Sequence, residues 1–146
     1  MHLHLKYPLE PGSAPRHAAA VVEAALDISG AELDYSAGSI ELVEDIVDSF
    51  RSDGATCDEM AESLAEFGCY VGEILVRHAG GAWRHAPAGH QPVPLVVELP
   101  GPRLCHPVDW VFERLEHGPD VSISALYATA VHDGAPDGRP QVCTPD

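Results

Sequence analysis

Apolar positions recur at helical spacing over more turns between residues 56 and 79 than anywhere else in the chain. At about 100° per residue, Met60, Leu64, Phe67, Val71, Ile74 and Leu75 fall on one face. Ala61, Ala65, Gly68, Gly72 and Val76 form a second face of small side chains, which lets a neighbouring backbone come close. Both faces are expected to be buried. Glu59, Glu62, Glu66, Tyr70, Glu73 and Arg77 form a third, expected to meet water or a partner, with Glu73 and Arg77 in the favourable i,i+4 order. Thr56 and Glu59 have the spacing of a capping box, and Gly80 with Gly81 can supply the left-handed residues that stop a helix. The pattern predicts a central helix over 56–79.

The remaining elements follow from shorter periods. Residues 2–7 alternate, with Leu3, Leu5 and Tyr7 opposite His2, His4 and Lys6, which predicts a half-buried strand. Residues 16–29 read as an alanine-rich helix with Val22, Ala25 and Leu26 inward and Gly30 as its stop. Ser36 has the position of a cap, with Tyr35 and Ile40 as a hydrophobic staple, for a helix running to Arg51. Its apolar face is Ile40, Val43, Ile46, Val47 and Phe50, and its acidic face Glu41, Glu44, Asp45 and Asp48. If it forms a hairpin with the central helix through Ser52–Ala55, the two acidic faces merge. Residues 82–86 and 93–99 read as two strands. Two helices follow, 107–117 with Val108, Val111, Phe112 and Leu115 inward, and about 122–132 with Ile123, Leu126, Tyr127, Ala130 and Val131 inward.

Together these elements predict an α+β domain: a small antiparallel sheet of two to three strands packed with about five helices. One domain is expected over 1–133. Residues 134–146, rich in breakers and without a period, are expected to be a disordered tail. A 146-residue chain buries enough surface for a conventional core without disulfides. The cysteines at 57, 69, 105 and 143 make no CxxC pair, and the first residues lack the basic and apolar regions of a signal peptide. A cytoplasmic protein with reduced thiols is expected.

Charge adds the strongest functional hint. The net charge is −15, and residues 23–66 hold 13 acids against one base, Arg51. Such a field repels nucleic-acid phosphates and anionic lipid and attracts a basic protein or a cation. A solvated surface of biased composition competes with that reading, because lysine occurs once while Ala, Gly, Pro and Asp abound.

Catalytic and metal chemistry find little support. His85, His90, Cys105 and His106 are candidate ligands, with zinc the natural ion, and His2 and His4 share a strand face. No HExxH, CxxC or helical i,i+4 histidine pair accompanies them. Cys57 lies where a helix dipole lowers a thiol pKa, but Asp58 and Glu59 oppose this. Cys69 falls near the small face, and Cys105 adjoins His106 in sequence, where activating geometry is uncommon. No GxSxG elbow occurs. Glu66 and Glu73 flank Tyr70 on one helix face, and Trp83 and Trp110, off the clearest apolar faces, could line a groove near it.

The segments FGCYVGEILVRHAGGAW, LDYSAGSIELVEDIVDSFR before it and HPVDWVFERLEHGP after it resemble a family of small bacterial proteins known only as a domain of unknown function. The shared pattern is an FGxYxGE helix, a GGxW turn and a later aromatic helix, across about residues 33–127. The resemblance implies an α+β domain and no activity, and it draws attention to Tyr70, Gly72, Glu73, Gly81 and Trp83. The reading these observations favour is a non-enzymatic interaction protein of inhibitor, immunity or chaperone type. Its binding residues would be Glu41, Asp45, Glu62, Glu66, Tyr70, Glu73, Arg77, Trp83 and Trp110. The alternative is a metal-assisted or small-molecule site near Trp83, His85, His106 and Trp110.

Overall fold

The chain turns into its first helix at Glu10–Ser13, where Ser13 and Glu10 bond reciprocally through the Ser13 hydroxyl. Helix α1 (Ala14–Ser29) follows and ends at Gly30, whose φ of 71° closes the last turn onto the Leu26 carbonyl. The computed structural model describes residues 10–85, 95–100 and 103–132. The expected strand at 2–7 and the tail at 134–146 lie outside these.

Ser36 is a helix cap as its sequence position predicts: its hydroxyl accepts from the Ser39 N–H at 3.2 Å, opening a 3-10 turn that leads into α2 (Ile40–Ser52). The capping box also forms, with Thr56 N–H donating to Glu59 Oε1 at 3.0 Å and Glu59 N–H to Thr56 Oγ1 at 3.2 Å. It closes a single turn rather than the helix itself. Met60 then departs from helical dihedrals, at φ −105° and ψ 16°, so α3 spans Ala61–Ala79 and not 56–79. Gly80 ends it at φ 73°.

Three strands follow in the order β1 (Ala82–His85), β2 (Leu95–Leu99), β3 (Arg103–Cys105), all antiparallel. The third was missed in the sequence, because three residues are too few to show alternation. Helix α4 (Pro107–His117) stops at Gly118, and α5 (Ile123–His132) is capped by Ser122, whose Oγ accepts from Ala125 N–H at 3.1 Å. This is the α+β architecture expected.

Helix α3 is the centre. It packs chiefly against α1 and α4, and it touches α2 far less than α4 does. The expected α2–α3 hairpin is therefore not the packing adopted, and the two acidic faces do not merge across it. The small face works as predicted: a Cβ at Gly68 would overlap Val108 of α4, and one at Gly72 would overlap the Trp83 ring. Leu26 and Val131, expected inward, are exposed, and Val21 and Ala18 take the inner positions of α1. Among the described residues no helix is long and apolar enough to cross a membrane.

Candidate functional site

The third face of α3 is where sequence and structure part. Tyr70 is wholly buried, with the 33–39 segment bonded to its hydroxyl, and Glu73 is nearly so, bonded to the Trp83 indole. The Ser39 hydroxyl donates to the Ser36 carbonyl at 2.6 Å, so its oxygen takes the Tyr70 proton, also at 2.6 Å. Tyr70 Oη in turn accepts the Tyr35 N–H at 2.8 Å. Burial is the main influence raising the Tyr70 phenol pKa.

Tyr35 sits in the left-handed region at φ 63°, an uncommon place for a side chain of that size. Its ring lies 4.8 Å from that of Tyr70 and 3.6 Å beneath the Arg77 guanidinium, and its carbonyl pairs with His78 Nε2 at 2.8 Å. These contacts hold the strained backbone in place.

Glu73 accepts from Trp83 Nε1 at 2.8 Å and faces Arg77 Nε at 3.5 Å. Trp83 in turn fills the space left by Gly72. The FGxYxGE and GGxW residues therefore form a packing lock between α3 and β1, not an open site. Trp110 is also core, at 1% exposure, so the two indoles line no groove beside Tyr70.

The expected acidic surface divides. Glu44 is buried and accepts from Ser124 N–H at 3.0 Å, and Asp48 takes a bidentate pair from Arg114 at 2.9 and 2.7 Å. Arg114 also lies 3.6 Å from Glu44 and donates to the Val121 carbonyl at 2.8 Å. Half of the α2 acidic face is thus an internal clamp joining α2, α4 and the start of α5. Glu66 is half-buried, and burial raises its carboxyl pKa, with His17 of α1 opposing. Glu41, Asp45 and Glu62 remain exposed, and none contacts a cation among the described residues.

Metal candidates do not gather. His85 is at one end of the β1 edge, while Cys105 is in β3 opposite Val97, so β2 separates them by about 10 Å. Cys105 and His106 are buried, and His90 lies outside the described residues. Among the described residues no three His, Cys, Asp or Glu side chains stand where they could hold an ion. Cys57 borders an open cavity of ≈ 400 Å³ with Asp58 and Glu116, but its thiol points to the Phe112 carbonyl at 3.6 Å. Burial, then Glu116 and Asp58, raise its pKa, which is opposite to what a nucleophile needs. Burial pushes Cys69 up further still.

A second cavity, of ≈ 300 Å³, lies between α4 and α5 and was not read from the sequence. Its lining combines Glu113 of α4, the connection Asp120–Ser122, and Ala125, Leu126 and Thr129 of α5; of these only Leu126 is read from the sequence as inward. Comparison with known families, curated proteins and solved structures finds no match.

Proposed function

We propose that the protein is a cytoplasmic, non-enzymatic interaction module, of inhibitor, immunity or chaperone type, that presents an acidic helical surface to a basic partner. The supporting observation is how the charges are used. Each of the six described arginines makes an intramolecular contact, several of them to backbone carbonyls, whereas Glu41, Asp45 and Glu62 face solvent without a cation among the described residues. With a net charge of −15 the surface field is more negative than a mixed surface would give, and such a field speeds association with a cationic protein and disfavours phosphates.

The test is affinity capture from native extract at about 50 mM and about 500 mM salt, followed by association kinetics with the retained protein. A basic protein held only at low salt is expected. Its association rate should fall several-fold in Glu41→Gln/Asp45→Asn/Glu62→Gln, with dissociation little changed. Equal association rates for the two forms overturn the reading. The metal or small-molecule alternative has less in its favour, since Trp83, Trp110 and His106 are buried while His85 is exposed at a sheet edge.

A further inference from the structure

The cavity between α4 and α5 combines two features that suit one kind of guest. Its lining is mainly apolar, with Val121, Ala125 and Leu126 beside the hydroxyl residues Ser122 and Thr129, and it includes two exposed carboxylates, Glu113 and Asp120. Neither carboxylate contacts a cation among the described residues. At ≈ 300 Å³ it is at the small end of ligand pockets, the size of one long side chain rather than a cofactor.

The position of the start of α5 argues against an anion. A helix N-terminus attracts negative charge through its free N–H groups, but here Ser124 N–H is taken by the Glu44 carboxylate and Ala125 N–H by Ser122 Oγ. Glu44 thus brings a negative charge to the end where an anion would bind. The wall is also preformed, because Arg114 fixes the Val121 carbonyl while bound to Asp48.

We infer that this groove takes a lysine or arginine side chain of the basic partner, with its aliphatic stem on Val121, Ala125 and Leu126 and its cationic head at Glu113 and Asp120. Long cationic side chains bind in this divided way, with stem on apolar surface and charge in water. The inference rests on the reading of an acidic module and adds where, and by what side chain, the partner is anchored.

A labelled oligolysine peptide is the probe, titrated by fluorescence anisotropy at low salt and mapped by amide NMR shifts. Glu113→Gln/Asp120→Asn should weaken it about tenfold, each exposed ion pair contributing up to about fivefold. Shifts should centre on residues 120–129. Replacing lysine by 2,4-diaminobutyrate at about pH 6, where both side-chain amines are protonated, keeps the charge and shortens the stem and should weaken binding further, and Ala125→Arg, which fills the groove with its own cation, should abolish the shifts. Equal affinity for wild type and Glu113→Gln/Asp120→Asn overturns the groove, as does equal affinity for the long and short side chains. If Glu41→Gln/Asp45→Asn/Glu62→Gln alone weakens the peptide, the groove fails and the acidic-module reading stands. If neither variant weakens it, both fail.

Discussion

Gly72 and Trp83 share one space, so their energetics can be argued atom by atom. Alanine in a helix is worth about 1 kcal/mol over glycine, but its Cβ here would overlap a ring that Glu73 also anchors. Overpacking of a rigid neighbour costs about 1–3 kcal/mol, so Gly72→Ala is expected to lower the urea midpoint with the slope unchanged. Trp83→Phe removes the donor to a buried carboxylate and should cost about 1–3 kcal/mol on the same measurement. Glu66 gives a prediction with the opposite sign. Its raised pKa means the folded state favours the protonated form; that contribution is present below its ordinary pKa and is lost as pH rises through the folded value. Glu66→Gln should therefore raise the midpoint slightly at about pH 7 and leave it unchanged at about pH 3.5. The small side chains on α3 are legible as a close-approach face, but what fills Gly72 is not, because Trp83 arrives from a strand. Tyr70 and Glu73 read as solvent-facing for a related reason. Periodicity sorts side chains by polarity and cannot anticipate the distant partners that bury them, the 33–39 segment bonded to Tyr70 and the Trp83 indole bonded to Glu73.

At the scale of elements, the glycine stops of the helices are the most legible part of the fold. Gly30, Gly80 and Gly118, with the Ser36 cap, act through their own backbone neighbours, so their chemistry is local. How helices associate is not local. The acidic residues of α2 suggested an outward face, yet Glu44 and Asp48 meet Arg114, 66 residues from Asp48 in sequence. The clamp predicts a large and specific loss. Arg114→Met leaves a buried Glu44 carboxylate without its cation and is expected to cost about 3–5 kcal/mol. Much of that loss is the penalty of the stranded charge, so Arg114→Met/Glu44→Gln should recover part of it. A double-variant cycle on urea midpoints measures the recovery, and strict additivity would show that Glu44 and Arg114 do not interact.

For the whole molecule the controlling quantity is uncompensated charge. Salt acts on it in two directions: it weakens surface ion pairs and it screens repulsion among like charges. The attractive side is short among the described residues, with Arg84–Glu98 at 2.9 Å and Arg77–Glu73 at 3.5 Å partly open to water, while the Arg114 clamp is shielded by burial. The repulsive side is a net charge of −15, with Glu41, Asp45 and Glu62 exposed and unpaired among the described residues. Repulsion should win, since exposed pairs are worth at most about 1 kcal/mol each and self-repulsion acts over the whole compact state. The urea midpoint is therefore expected to rise between about 20 mM and about 500 mM sodium chloride, most steeply at the low end where screening lengths change fastest. Glu41→Gln/Asp45→Asn/Glu62→Gln should start from a higher midpoint at low salt and rise less. A wild-type midpoint that falls with salt would mean that ion pairs outweigh repulsion, and the acidic surface would then lack the long-range field on which fast capture of a basic partner depends.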